Sequence, residues 1–245
     1  MKILVPISKV PDTTSKISFK DNDTKFNSDG VTYIINPTDE WYALVRAIEL
    51  KEKLGGSVTI INQGLAENET IIRKALAIGA DDAVRINAEA TDAYHIAMNI
   101  AAYAKANAYD LIICGKETID FNGFSVPPMI SEFLNWGYAG LVSKLDVENN
   151  TATLEREIEG GEEIIEAMLP LVIGAQKGMA EQRIPNMKGI MASRTKPILV
   201  IDAIGEALTA TEKFETPPAK TGCKFIEPGN EAELIRLLHE EAKVI

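Results

Sequence analysis

Residues 58–86 read VTIINQGLAENETIIRKALAIGADDAVRI, and this stretch decides the fold. It opens on a short apolar run, Val58–Asn62, and closes on another, Ala83–Ile86, each bounded by breakers as strands are. Between them Ile72, Ala75, Leu76 and Gly79 fall at the i, i+3, i+4, i+7 spacing of one helix face. Strand, helix and strand in so short a span predict a right-handed crossover between parallel neighbours. The same rhythm extends outward. Upstream lie a strand at Ile3–Ser8 and a helix face at Trp41, Leu44, Val45 and Ile48. Downstream come Ile96, Ile100, Tyr103 and Ala104, then a strand at Leu111–Cys114. The expected class is α/β, a doubly wound, mostly parallel sheet with helices on both faces.

Two segments interrupt the rhythm. Residues 17–35 carry turn signals at Asp21-Asn22-Asp23 and Asp29-Gly30, and predict a hairpin inserted between the first strand and the first helix. A second hairpin is expected at about Leu145–Glu157, with Asn149-Asn150 at its tip, followed by a strand at Leu171–Ala175. A stretch punctuated by Pro and Gly, Gly178 to Lys196, leads to a last strand at Ile198–Ile201. The tail from Glu206 contains Pro217-Pro218 and ends in a short amphipathic helix bearing Leu234, Leu237 and Leu238. The expected organisation is a nucleotide-binding domain over residues 1–205, then a linker and partner-packing tail over 206–245.

Composition narrows the function. Apolar residues are 46% of the 245 and charged residues 25%, an ordinary globular balance. Lys and Arg number 25 against 36 Asp and Glu, and the net charge of −11 opposes nonspecific binding to nucleic acid or anionic lipid. No apolar run reaches the length of a membrane span, and MKILVPISKVPD reads as a first strand rather than a signal peptide. Cys114 and Cys223 stand far apart in no metal or redox spacing, which points to a reduced, cytoplasmic setting. Charge is also uneven: Glu155–Glu166 holds six acids and one arginine, while Lys177–Lys196 holds five bases and one acid. Either run alone reads as a solvated face.

Two constellations could carry chemistry. GKETIDFNGFSVPPM, residues 115–129, follows a strand and opens a helix from about Ser125, the place where an open α/β sheet binds a nucleotide. Gly115 and Gly123 permit close backbone approach, and the helix start would aim N–H groups at a phosphate. Neither GxGxxG nor GxxxxGK[ST] occurs, so the dinucleotide fingerprint and the P-loop are excluded. In INPTDEW, residues 35–41, Asn36 reads as an N-cap, with Pro37 at the first helical position and Asp39 and Glu40 matched to the helix dipole. No GxSxG is present, and His95 and His239 each sit in a helical pattern. The chain offers a binding fold without a nucleophile.

Several blocks together resemble the β (small) subunit of electron-transfer flavoprotein over nearly the full length. They are ILVPISKVPDT, INPTDEWYALVRAIELKE, RKALAIGADDAVRI, GKETID, REIEGGEEIIEAMLPLVIGA and RIPNMKGIMASRTKPI, in order. The fifth resembles the family signature, with Arg156, Glu159-Gly160-Gly161, Glu163, Ile165 and Pro170, and departs from it at Leu154 and Gly174. The resemblance implies a fold of the adenine-nucleotide-α-hydrolase-like type and a heterodimer with an α subunit. It implies FAD held mostly in that α subunit, with the isoalloxazine near the β surface, and AMP in the β subunit.

By position, the nucleotide would meet Pro6, Ile7, Asn36, Gln63, Gly115, Lys116, Asp120, Gly123, Phe124, Ser125 and Val126. Asp120 matches the aspartate of the family's Gly-Lys-x-x-Ile-Asp segment. Phe124-Ser125-Val126 stand where many members carry polar phosphate-holding residues, which leaves backbone N–H groups and the Ser125 hydroxyl and argues against a second FAD. The resemblance also implies partner recognition through Met187, Ile190 and Met191, electron donation by acyl-CoA dehydrogenases as in fatty-acid β-oxidation, and delivery to a quinone reductase. A one-electron carrier needs no protein nucleophile, because the flavin supplies the chemistry. The competing expectation is a free-standing adenine-nucleotide-binding regulator similar to universal stress proteins.

Overall fold

In the computed structural model, which describes residues 1–219 and 222–245, nine strands form one sheet. Lys220 and Thr221, inside the expected tail, lie outside the described residues. The elements run β1 (Lys2–Pro6), β2 (Lys9–Pro11), β3 (Phe19–Lys20), β4 (Lys25–Phe26), β5 (Tyr33–Ile35), α1 (Asp39–Leu54), β6 (Ser57–Gln63), α2 (Glu69–Ile78), β7 (Asp82–Asn87), α3 (Ala93–Asn107) and β8 (Leu111–Gly115). There follow α4 (Val126–Leu134), β9 (Gly137–Glu148), β10 (Thr151–Ile158), β11 (Gly161–Met168), β12 (Leu171–Ala175), α5 (Met187–Ser193), β13 (Ile198–Asp202) and α6 (Glu231–Arg236).

The sheet order is β11-β10-β9-β12-β8-β1-β6-β7-β13, parallel throughout except at β10 and β11. Successive side chains of a strand point to opposite faces, and each central strand here is apolar on both. Ile3 and Val5 join the core under α1 and α2, whereas Leu4 between them joins the core under α3 and α4. Ile60 and Ile61 divide in the same way, as do Ile113 and Ile112. This is the doubly wound α/β architecture that the alternation of periods predicts.

The insertions are larger than expected. Residues 9–35 form two nested ladders, β2 with β5 and β3 with β4, rather than one hairpin starting at 17. The first strand ends at Pro6 and its expected continuation to Ser8 leaves the sheet, because Lys9–Pro11 pair with Tyr33–Ile35 instead. The second hairpin does turn at Asn149-Asn150, both at positive φ as a tight two-residue turn requires. It then continues through Gly160, at φ 83°, into β11, a strand the sequence reading lacks. The acidic run 155–166 therefore lies on two antiparallel strands, with Arg156 opposite Glu163 and their side chains paired at 2.5 Å. No helix among the described residues is long and apolar enough to cross a membrane.

Candidate functional site

The chain builds β1, moves outward through β6 and β7, then returns to β8 on the other side of β1. At such a switch in strand order the loops part and leave a crevice at the carboxyl ends of the strands. A cavity of about 410 Å³ occupies that place, within the usual range for small-molecule sites. Pro6 and Ile7 leave β1, Gln63 ends β6, and Gly115 and Lys116 leave β8, and all five line it. Asp120, Gly123, Phe124, Ser125 and Val126 line the far wall. Ten of the eleven sequence-predicted binding residues thus converge on one cavity.

Asn36 is the exception and corrects the capping reading. Helix α1 starts at Asp39 with Thr38 in the cap position, so Asn36 caps nothing and Pro37 precedes the helix. The Asn36 side chain is fully buried, donating from Nδ2 to the Glu117 carbonyl at 2.9 Å and accepting from the Ile119 N–H at 2.9 Å. It therefore grips the loop after β8 instead of lining the cavity. The start of α1 does lie against that loop: a Cβ on Gly115 would stand 2.7 Å from Glu40 Cγ and 2.8 Å from its backbone nitrogen. Glycine is required there by the helix, not by a ligand. Gly123 meets only Ser125 Oγ, at 3.4 Å, so nothing in the protein requires glycine at that position.

Burial dominates the electrostatics beside β1. Glu40 is buried and accepts from the Ser8 N–H at 2.6 Å and the Ser8 hydroxyl at 2.7 Å. Burial pushes its carboxyl up to about 8 despite those bonds, with Asp120 and Asp39 adding to the rise. Asp39 rises to about 6, also through burial, against the pull of Lys116. The buried Cys114 thiol is raised as well, by burial and the nearby Glu40, so it is no nucleophile.

Gln63 is held from two sides. Its Nε2 donates to the Glu89 carbonyl at 3.0 Å and lies 3.0 Å from His95 Nδ1. His95 Nε2 lies 3.1 Å from the Ile204 carbonyl, which can only accept, so Nε2 carries the hydrogen and Nδ1 receives the Gln63 amide. Gln63 Oε1 is left buried with no hydrogen-bond partner among the described residues. With essentially no accessible surface, Oε1 lies behind the cavity wall, and Gln63 meets the cavity through its other atoms.

The start of α4 offers fewer donors than the sequence suggests. Helix α4 opens without a side-chain cap and carries Pro127 and Pro128 in its first turn, neither of which has an N–H. Met129 spends its N–H on the Ser125 carbonyl, so Val126 offers the one first-turn donor left.

Sequence reasoning missed three parts of the wall. Asn62 donates to the Ile7 carbonyl at 2.8 Å and accepts from Asn68 at 3.0 Å, which fixes the end of β1. Their signal is a pair of amides at positions the helix and strand patterns would bury. Residues 204–211 form a strap across α3: Asn99 bonds Ile204 in both directions, and Asp92 accepts from the Leu208 N–H at 2.7 Å and the Thr209 hydroxyl at 3.0 Å. Thr209–Thr211 then line the cavity, so part of the expected tail belongs to the site wall. Beyond it Phe214 stacks on Phe19 with centroids 4.7 Å apart.

Away from the crevice, α5 lies on α2 so closely that a Cβ on Gly189 would fall 2.3 Å from the Ala77 carbonyl. Met187 is 73% exposed, so it fills no space in the core; Ile190 and Met191 are exposed beside it. Leu234 is exposed and Leu237 buried, and α6 packs chiefly on its own continuation.

A doubly wound sheet with a crevice at its switch point is an architecture on which proteins of many activities bind small ligands. The sequence profile of the "Electron transfer flavoprotein domain" matches residues 23–205. The chain is 37% identical over 262 aligned residues to the electron transfer flavoprotein subunit beta of Bacillus subtilis, with both chains fully covered. It is 34% identical to that of Syntrophomonas wolfei, covering 93% of this chain and 90% of the relative, and 32% identical to that of Bos taurus, covering 93% of each. The chain belongs to the electron transfer flavoprotein family, among its β subunits. That membership displaces the reading of a free-standing regulator.

Proposed function

We propose that this β subunit pairs with an α subunit to carry electrons from acyl-CoA dehydrogenases or similar flavoenzymes, as in fatty-acid β-oxidation, to a membrane quinone reductase. FAD is held mostly by the α subunit, with its isoalloxazine near this chain's surface, and AMP occupies the crevice. When bound, the flavin supplies the one-electron chemistry. The chain itself binds, orients and shields. Pro6, Ile7 and Gln63 serve the adenosine side, Gly115, Lys116 and the Asp120–Val126 loop serve the other, and Asn36 keeps that loop in place.

The observation that carries this reading is the switch-point crevice, where the ends of β1, β6 and β8 and the loop before α4 line one cavity of about 410 Å³. Support for the partners comes from the uncovered apolar surface. Met187, Ile190 and Met191 stand out on α5, while Ile164 and Met168 project from the outer face of edge strand β11 at 69% and 73% exposure. The two free thiols, Cys114 and Cys223, accord with the cytoplasm.

Purification of the tagged chain from cells that express its neighbours tests the whole reading. A yellow second chain should accompany it, and acid extraction should release FAD and an adenine compound. A colourless single chain that contains no adenine compound rejects the proposal.

A further inference from the structure

We propose that Arg73 is a positioning residue for partner recognition: from α2 it fixes the far end of α5, and so presets the apolar face that meets an acyl-CoA dehydrogenase. The inference rests on the reading of Met187, Ile190 and Met191 as that face, and concerns what holds them in place.

Helix α5 is too short to persist by itself. It has seven residues, MKGIMAS, with a glycine in third place, whereas isolated helices below about 12–15 residues are marginal in water. Its first turn holds no acid and its last turn no base, so its own sequence does little for its dipole. Burial helps little, since only Ser193 of the seven is buried. The start of the helix is satisfied locally, where the Asn186 side chain accepts from the Gly189 N–H at 2.8 Å.

The other end is closed from outside. The last carbonyls of a helix have no partner within it. Arg73, half-buried on α2, donates from one guanidinium nitrogen to the Ser193 carbonyl at 2.6 Å and to the Lys196 carbonyl at 2.5 Å. A cation at this end complements the dipole, and charged hydrogen bonds are the stronger kind. The turn held in this way bonds Arg194 to Met191 and Thr195 to Ala192, both at 3.3 Å. Lys196 in turn donates to the Ala80 carbonyl beyond α2. Ahead of the helix Arg183 grips Glu52 with two bonds, at 2.7 and 3.0 Å, but that pair is exposed and contributes less. A face already ordered loses less entropy on docking, which is how Arg73 acts on a partner through α5.

Donor kinetics test this on the purified chain with its flavin-bearing partner, using an acyl-CoA dehydrogenase reduced by its own acyl-CoA. In Arg73→Met the KM for the carrier should rise about tenfold, while kcat, flavin content and reduction by dithionite stay parental. Amide exchange at Ile190, Arg194 and Thr195 should quicken at least about tenfold, and parental exchange there overturns the inference. Arg73→Lys keeps a cation at the helix end and should raise KM by about threefold. If Arg73→Met fails to fold, a parental KM in Arg73→Lys overturns the inference instead. Because Arg73 acts through the apolar face, adding Arg73→Met to Met187→Ala should raise KM by less than about threefold further. Full additivity, or a parental KM in Arg73→Met beside a raised one in Met187→Ala, overturns the inference and leaves the recognition reading standing. Parental KM in both single variants overturns both.

Discussion

Gln63 and His95, at the ends of β6 and the start of α3, are joined side chain to side chain by a buried hydrogen bond of 3.0 Å. The histidine relays that contact to the carbonyl of Ile204 in the strap. His95→Leu removes the relay but leaves Ile204 bonded to Asn99 and Gln63 bonded to Glu89. Stability should fall by only about 1 kcal/mol, while adenosine binding should weaken about tenfold as Gln63 gains freedom. Melting and calorimetry on the same variant check this; unchanged affinity would show that one anchor suffices.

Asn36→Ala leaves the Glu117 carbonyl and the Ile119 N–H without the partner they now share. Unsatisfied buried groups cost about 2 kcal/mol, which in a chain of this size lowers the melting temperature by about 6 °C. Limited proteolysis should then cut first within residues 116–125. A melting temperature equal to the parent's would refute the clamp.

Glu40 gives the protein a pH signature. Its carboxyl rises from 4.5 when unfolded to about 8 in the fold, so the native state binds more protons between those values. Stability is therefore full below about pH 4.5 for this group, and falls as pH climbs toward 8. Asp39, raised to about 6, has the same sign over a lower window. In Glu40→Gln the decline in melting temperature between about pH 6 and 8 should flatten. A decline of equal slope in that variant would assign the effect elsewhere.

Met187→Ala tests partner recognition. A flexible thioether on an exposed turn suits irregular apolar pockets on more than one donor. Loss of such an anchor should cost about 2 kcal/mol, or roughly 30-fold in donor affinity. Flavin content and melting temperature should scarcely change. Donor-dependent flavin reduction at parental rates would remove Met187 from the interface.

Deletion of residues 222–245 should leave a folded sheet domain that no longer retains its α partner. The strap to residue 211 and the Phe214 stack remain in that truncation, so the crevice keeps its wall. Pull-down from coexpressed chains measures the outcome. Undiminished heterodimer yield would mean the tail packs nowhere important.

The core of the fold is legible in residues 1–115 because strands of a parallel sheet are buried on both faces. Leu111–Cys114 is a continuous apolar run for that reason, and Val58–Asn62 is buried throughout, with Thr59 and Asn62 as its polar members. Strand β11 escapes the same logic: Glu162, Glu163 and Glu166 mingle with Ile164 and Met168, whose exposed face has no counterpart within the chain. Of the site, the loop 115–126 is legible because it joins the end of a buried parallel strand to a helix start, although Gly115 itself answers to the close approach of α1. Asn36 is misread because a cap and a loop clamp call for the same short amide, and only the third dimension tells them apart. The strap is illegible for a further reason. AIGEALTA, residues 203–210, has no period, and its partners lie more than a hundred positions earlier.

That separation sets an order of events during synthesis. Asp92 leaves the ribosome 116 residues before Leu208, and β7 waits nearly as long for β13, its neighbour at the edge. Until the strap arrives, the Asp92 carboxylate that caps α3 lacks the Leu208 and Thr209 donors that hold it, and Gln63 answers to a histidine with no fixed tautomer. Nascent chains ending before Ile204 therefore carry an unroofed crevice, and the wall that Thr209–Thr211 add to it is among the last parts of this protein to form.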